Sequence, residues 1–255
     1  MNQSGWKLPM LTVQQWQVSS DPKAMLECLR GKVSERKLRL FAIACCRKIW
    51  PLLQDKRSRE AVEVAERFAD NQASAEELAA AHEAAKSAWQ EATRIGPRGF
   101  LDVGYLAAQS AKDVAYQPNA GIAPAPAWGR PHKAGAVEPI PARDIYPGQA
   151  ADSAASARGA EGGQRCEYVV QQQKAAQAIL LRDICGNPFQ QEAVPTNWQA
   201  TVINLAKGMY AGDDHARALQ KAMLDAGRAA LAEHFGQGGP HPKGCWVIDA
   251  ILGKH

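Results

Sequence analysis

The stretch of chain near the C-terminus holds the residues best suited to chemistry. Residues 239–246 read GPHPKGCW, which places His241 and Cys245 in a loop shaped by proline and glycine, and Asp249 follows four residues after the cysteine. Imidazole and thiolate are groups that bind zinc, and a cysteine with thiolate character is also a nucleophile. The loop therefore indicates a metal site or a thiol-dependent enzyme, with His241, Cys245 and Asp249 as the catalytic candidates.

Two ligands do not complete a zinc site, so the others would have to come from elsewhere in the chain. Cys185 is the first metal candidate after His241 and Cys245, and the remaining sources are Cys166, His215 and His234, none of which stands at a zinc-finger spacing. The structural interpretation is favoured over the chemical one. In it the loop makes a tight turn, Cys245 packs inward and His241 caps a helix end. No cofactor is expected, with zinc as the alternative.

Three other positions have side chains that can do chemistry. Cys45 and Cys46 are adjacent, but neighbours on a helix point about 100° apart and do not converge on one ion, so we interpret them as core residues. His82 lies on the apolar side of a predicted helix, where a hydrogen-bonded boundary residue is commoner than a general base. Arg182 and Asp183 precede a Gly-Asn-Pro-Phe turn and could meet a ligand, although we favour a helix end there.

The charge distribution suggests a further function. Residues 1–60 carry 12 lysines and arginines against 5 acidic residues, whereas residues 61–118 carry 5 against 9. Mutual attraction of two helical segments is the favoured explanation, because no recognition motif for nucleic acid accompanies the basic segment. The alternative is nucleic-acid binding through the clustered cations Arg36, Lys37, Arg39, Arg47, Lys48, Arg57 and Arg59.

Several classes of protein become less favoured. GxSxG, Walker, GxGxxG, HExxH and DxDxDG motifs are all missing, which lowers the expectation of common enzymes. No run approaches 18 apolar residues, so no membrane span is expected. The six cysteines form no CxxC pair and the first 20 residues lack an apolar leader core, which favours a cytoplasmic protein with free thiols.

The elements that would position these residues are helices. The least polar stretch, 34–53, reads as a helix that is apolar nearly all round and ends near Trp50, because Pro51 cannot continue it. Asp21 before Pro22 predicts a helix start, and Ser74 with Glu77 predicts a capping box. Another helix is predicted from Cys166 to Cys185, where Gly186 stops it, and one from about Thr196. For CWVIDAIL both a helix and an extended segment remain open.

These patterns predict an all-α fold in three parts. We expect an antiparallel helical bundle over 1–117, a flexible linker over 118–165 and a smaller helical module over 166–255. The linker prediction depends on composition, since its 48 residues hold 7 prolines, 7 glycines and 13 alanines. Such a segment buries too little apolar surface to offset the entropy lost on ordering.

Three stretches of sequence together resemble a known group of proteins. RKLRLFAIACCRKIW with SREAVEVAERFAD, then AILLRDICGNPF, then GPHPKGCWVIDAILGK are similar to a large paralogous family of uncharacterised proteins from Gemmata-type planctomycetes. The resemblance implies a bacterial, non-secreted protein, and it carries over no activity, ligand or site residue. The proline-rich middle segment departs from the alanine-rich wording of that family.

The sequence as a whole favours a non-enzymatic helical protein whose partner is another protein. Abundant amphipathic helix without a recognisable catalytic set supports this interpretation. The alternatives are the metal-binding or thiol-dependent enzyme at His241, Cys245 and Asp249, and the nucleic-acid-binding protein.

Overall fold

A computed structural model describes the backbone of residues 11–95, 103–115, 142–159, 166–190, 194–236 and 240–254, and the side chains of all of these except 93–95, 103–108 and 142–149. Every regular element in these ranges is helical, which confirms the all-α prediction. The α-helices are α1 Val13–Val18, α2 Pro22–Leu29, α3 Glu35–Lys48, α4 Lys56–Ala69, α5 Ala75–Ile95, α6 Val103–Val114, α7 Ala142–Gly159, α8 Glu167–Cys185, α9 Ala200–Ala211, α10 Ala216–Asp225, α11 Ala229–Glu233 and α12 Trp246–Leu252.

Local signals set most of the helix starts. Asp21 accepts a hydrogen bond from the amide of Lys23, and Pro22 takes the first position of α2. Ser74 and Glu77 exchange the two bonds of a capping box before α5. The segment that remained open between helix and strand forms α12. Helix α9 begins at Ala200, later than the predicted start at about Thr196.

The stretch predicted as the central helix is buried on both faces. Phe41 and Cys45 lie on one side, Leu40 and Ile43 on the other, and all four are buried. Helix α3 ends at Lys48, and a single 3-10 turn from Trp50 to Leu52 contains Pro51. The sequence prediction for this helix is confirmed, because its apolar side chains surround the axis rather than forming one stripe.

The described residues divide into two compact units, and the division differs from the predicted one. One unit consists of 45–174, and the other combines the N-terminal residues up to Ala44 with Ala175–His255. The N-terminal segment was assigned to the bundle over 1–117. Its buried side chains, among them Trp16, Met25 and Leu29, belong to the unit that also holds the C-terminal helices.

The unit formed by 45–174 is an assembly of helices with many alanines at the contacts. Helix α4 packs on α5, and α6 packs on α4, α5 and α7. The buried alanines on these helices are Ala61, Ala65, Ala85, Ala88, Ala111, Ala115, Ala150 and Ala154. Small side chains let helix backbones approach closely, which suits a bundle.

Part of the predicted linker is helical. Helix α7 covers 142–159, while 118–141 and 160–165 lie outside the described residues. The prediction relied on proline and glycine content. It gave too little weight to alanine, the best helix former, which recurs here as a buried stripe at Ala150, Ala151, Ala154 and Ala155.

The C-terminal helices have a hydrophobic core of their own. Its buried members come from α9 to α12 and the turns between them: Val202, Ala206, Met209, Ala216, Leu219, Met223, Leu231, Phe235, Val247, Ile248 and Ile251. In the described part of the chain, no helix combines the length and the apolar character that crossing a bilayer requires.

Candidate metal centre

Asp183 reaches the site from the last turn of α8. The helix ends two residues later and turns at Gly186, whose backbone has a φ of +69°. A side chain at Gly186 would place its Cβ 3.2 Å from Cγ of Trp246, so glycine permits both the left-handed turn and the close approach of that ring. The end of α8 is therefore seated against the first residue of α12, with Asp183 beside it.

His234 is held by aromatic neighbours at the end of α11. Its ring stands edge-on to Phe235 at 5.0 Å and to Trp246 at 5.6 Å, measured between centroids. The ring of His241 lies 4.9 Å from that of His234 and 4.8 Å from that of Phe235. Phe235 is fully buried in the C-terminal core. These contacts fix both imidazoles on a rigid support.

Cys245 follows a tight turn that the sequence encodes directly. Its amide donates to the carbonyl of Pro242 at 3.1 Å, and Gly244 at the third position has a φ of +87°, as in a type II turn. The carbonyl of Cys245 then accepts the first hydrogen bond of α12, from the amide of Asp249 at 2.9 Å. The predicted turn is confirmed, and it brings Cys245 and His241 to the same place.

The donor atoms of four residues converge on one point. Nε2 of His234 lies 2.9 Å from Oδ1 of Asp183 and 3.1 Å from Sγ of Cys245. Nδ1 of His241 lies 2.9 Å from Oδ1 and 3.2 Å from Oδ2 of Asp183. All four ligand atoms lie within 4.8 Å of one another. Around a tetrahedral zinc ion with bonds of 2.0–2.3 Å, neighbouring ligand atoms are roughly 3.3–3.8 Å apart, so the closest pairs here, at 2.9–3.2 Å, would separate slightly to admit the ion.

The site is shielded from water. The side chains of Asp183, His234 and His241 are 14%, 17% and 11% exposed, and Cys245 is completely buried. Burial alone would raise the pKa of the Asp183 carboxyl, but hydrogen bonds from His234 and His241 outweigh it and lower the pKa to about 2. Burial raises the pKa of the Cys245 thiol well above its usual value, and the carboxylate of Asp183 raises it further. Asp183 is therefore an anion, and Cys245 without a cation is a neutral thiol.

This geometry does not fit a thiol nucleophile. In a Cys-His-Asp triad the thiol faces one imidazole nitrogen and the acid faces the other, so that a proton passes from sulfur to the ring. Here Asp183 and Cys245 face the same nitrogen of His234. The sulfur is also buried and protonated, which leaves it neither accessible nor nucleophilic.

Comparison with known proteins identifies no relative of this chain. No protein-family model matches the chain, and neither the curated proteins nor the solved structures give a significant match.

The structure brings together only some of the residues that the sequence singled out. His241 and Cys245 lie in the cluster, whereas Asp249, Cys185, Cys166 and His215 are not among its members. Asp249 is buried one turn into α12 and pairs with Arg36 and Lys37. The thiol of Cys185 has a pKa raised to about 12 by burial. Neither residue therefore supplies the missing ligands.

The other two members of the cluster are His234 and Asp183. From the sequence, His234 is one of several possible ligand sources, and Asp183 is expected to belong to a charged pair at a helix end. The available signal was an acidic residue near the end of a helix that leads into a glycine turn. No spacing rule connects it with a histidine and a cysteine far along the chain.

At least five of the seven cations proposed for nucleic-acid binding have partners within their own units. Arg36 and Lys37 pair with Asp249, Arg47 pairs with Glu66, and Arg57 pairs with Asp55 and Glu91. Arg59 donates to the carbonyl of Leu53. Burial lowers the pKa of the half-buried Arg39, whereas Lys48 is exposed. These ion pairs account for much of the basic charge near the N-terminus.

The remaining candidates are structural in the unit formed by 45–174. Cys45 and Cys46 are buried, as predicted. The thiol of Cys46 lies 3.0 Å from Oγ of Ser110, which itself donates to the carbonyl of Ala150 at 2.8 Å. His82 donates from Nδ1 to the carbonyl of Lys112, and burial lowers the pKa of its ring. Each of these groups has an internal hydrogen-bond partner or a packing role.

Proposed function

We propose that this protein binds one structural zinc ion through Asp183, His234, His241 and Cys245. The observation that carries the proposal is the convergence of a carboxylate, two imidazoles and a sulfur to within 4.8 Å in a buried corner. Here one nitrogen of His234 faces both anionic ligand types, as ligands around a common centre do.

Charge balance supports a divalent cation in this place. Asp183 and a thiolate at Cys245 supply two negative charges, and two neutral imidazoles add none, so a divalent ion makes the assembly neutral. A neutral cluster is far cheaper to bury than separated charges. Because burial keeps the Cys245 thiol protonated, the ion would displace that proton when it binds.

The donor set also selects the kind of ion. Calcium and magnesium take oxygen ligands almost exclusively, whereas a set of two nitrogens, one sulfur and one oxygen suits zinc. Four protein donors fill a tetrahedron and leave no position for water or substrate, which distinguishes a structural site from a catalytic one. A closed site favours the interaction role expected from the sequence over an enzyme.

Metal analysis of the purified full-length chain tests this proposal. We expect about one zinc ion per chain after dialysis against metal-free buffer, and loss of most of it in Cys245→Ser, His241→Gln and Asp183→Asn. Cys185→Ser is the matched control, because that thiol is buried outside the cluster and its loss should leave the zinc content unchanged. A folded wild-type chain that retains no zinc after incubation with an excess of the ion would disprove the proposal.

A further inference from the structure

The metal cluster lies beside the contacts that hold the N-terminal segment, which we define as residues 11–44. This segment and Ala175–His255 form one compact unit although residues 45–174 separate them in sequence. All four proposed ligands belong to the C-terminal part of that unit. Among the contacts that the described residues of the segment make with this part, two sets adjoin a ligand.

The first contact is made by Arg182, which precedes the ligand Asp183 on α8. Its Nη1 donates to the carbonyl of Trp16 at 3.0 Å and to that of Ser19 at 2.9 Å. Carbonyls at the end of a helix have no partner within the helix, so the guanidinium caps the end of α1. The indole of Trp16 is buried and meets the ring of Phe189 edge-on at 6.5 Å.

The second contact surrounds the ligand Cys245. Lys37 donates from Nζ to the carbonyl of Gly244 at 2.6 Å and lies 2.6 Å from Oδ2 of Asp249. Arg36 reaches the same carboxylate at 2.6 Å and donates to the hydroxyl of Tyr210 at 2.8 Å. The side chains of Arg36, Lys37 and Asp249 are only 12%, 13% and 2% exposed. Charge pairs buried this deeply depend on geometry, because a displaced partner leaves an uncompensated charge.

The two contacts share a requirement. Helix α8 and the start of α12 must stand at a fixed separation for Arg182 to reach α1 while Gly244 and Asp249 reach α3. The packing of Gly186 on Trp246 brings the two together, and bonds from Asp183 and Cys245 to one ion would fix their separation. We propose that occupation of the metal site controls the docking of the N-terminal segment onto the C-terminal helices, so that the unit closes fully only when zinc is bound. This inference rests on the proposed zinc site.

We expect the C-terminal helices to remain folded when the segment leaves. Their core is built from α9 to α12, and none of the described residues of the N-terminal segment belongs to it. Loss of zinc should therefore affect α1 and α2 much more than α9 and α10. By thermodynamic reciprocity, docking must strengthen zinc binding by the same factor by which zinc strengthens docking.

Hydrogen exchange of the full-length chain, with zinc and after chelation, tests the inference. We expect the amides of residues 23–29 in α2 to exchange about tenfold faster or more without zinc, a factor within the usual range of coupling between sites. Amides of Ala200–Ala211, in the same unit, should lose clearly less protection than those of α2, and amides of Lys56–Ala69, in the other unit, should change little. Equal exchange of α2 amides with and without bound zinc would overturn this inference and leave the proposed zinc site standing. A loss of protection in α9 and α10 as large as that in α2 would also overturn it, because zinc would then stabilise the unit evenly and not the docking of the segment. A chain that binds no zinc refutes the proposed function as well.

The zinc affinity of Lys37→Met provides a second readout. The substitution keeps the aliphatic stem and removes the contacts to Gly244 and Asp249, so we expect affinity to fall about fivefold or more. Lys23→Met is the matched control, since that lysine is exposed on α2 of the same segment and touches neither ligand neighbour. Zinc affinity equal to the wild type in Lys37→Met, with α2 already unprotected, would show that the two processes are not coupled.

Discussion

A methyl group of Leu40 fills the space that a side chain on Gly244 would need. A Cβ at Gly244 would lie 2.7 Å from Cδ1 of Leu40 and 3.1 Å from its Cβ. Gly244 also has a φ of +87°, a conformation that residues with a side chain rarely adopt. Helix α3 and the turn before Cys245 are thus in direct contact, and glycine is required there for two separate reasons.

The substitution Gly244→Ala should therefore destabilise the unit that contains it by about 2–4 kcal/mol, since backbone strain adds to overpacking. Denaturant unfolding measures this change. Gly227→Ala is the matched control, because Gly227 has a φ of +70° but a Cβ added there would meet nothing within 4 Å. Adding Leu40→Ala to Gly244→Ala should recover part of the packing loss, and equal costs at Gly244 and Gly227 would contradict the proposed contact.

Removal of zinc should lower the stability of the folded chain. An ion that binds only the native state stabilises it by about 4 kcal/mol when its free concentration is about 1,000 times the dissociation constant. Thermal unfolding with and without chelator measures the difference. The melting temperature of Cys245→Ser should not respond to chelator, and an equal response in that variant and the wild type would place the zinc effect elsewhere.

Cobalt substitution should report the ligand set directly. Tetrahedral cobalt absorbs more strongly in the visible range than octahedral cobalt, and a bound thiolate adds a charge-transfer band in the near ultraviolet. We expect both features in the wild type, because the set contains one sulfur and fills four positions. Cys245→Ser should lose the near-ultraviolet band while Cys185→Ser keeps it. The reverse result would identify Cys185 as the ligand.

Asp113 should make stability depend on pH in the unit formed by 45–174. The residue is buried, and Lys112 lies 2.6 Å from its Oδ1, yet no described group makes a well-aligned hydrogen bond to either oxygen. Burial raises the pKa of this carboxyl, and Lys112 opposes the change. A raised folded-state pKa gives stability that is complete below the unfolded pKa of about 3.9 and is lost as pH rises through the folded value.

The non-titrating variant Asp113→Asn should therefore gain stability relative to the wild type as pH rises from about 3 to about 7. Urea unfolding across that range provides the measurement. Glu63→Gln is the control, because Glu63 is exposed on α4. A relative stability of Asp113→Asn that stays constant or falls with pH would mean that the carboxylate is better compensated than its contacts indicate.

The helices could be predicted from the sequence because their signals are local. Asp21 before Pro22, Ser74 with Glu77, and Gly186 after Cys185 act within a few residues of the helix ends that they determine. The burial of α3 on both faces also followed from its composition, as Phe41 and Leu40 show. Helix α7 was missed because a stripe of alanines gives little hydrophobic contrast against its surroundings.

The candidate site could be predicted only in part, because sequence signals act locally and the site joins distant parts of the chain. His241 and Cys245 lie within one turn, so their proximity could be inferred from spacing. Asp183 reaches them through the packing of Gly186 against Trp246, a contact between distant parts of the chain. Asp249 is only four residues from Cys245 in sequence. It lies one turn along α12, however, and its carboxylate pairs with Arg36 and Lys37 and is not part of the cluster. Tertiary packing decided which acidic residue joined the site.

One of the two units is built from two segments that are far apart in the chain, and this affects the order in which its parts are synthesised. Residues 11–44 leave the ribosome before Ala175–His255, the other part of the same unit. At about 5–20 residues per second, translation of the intervening 45–174 takes roughly 6–26 s. Trp16, which packs edge-on against Phe189, would lack that partner throughout the interval. The newborn chain thus exposes an apolar segment that a chaperone can bind until the last helices emerge.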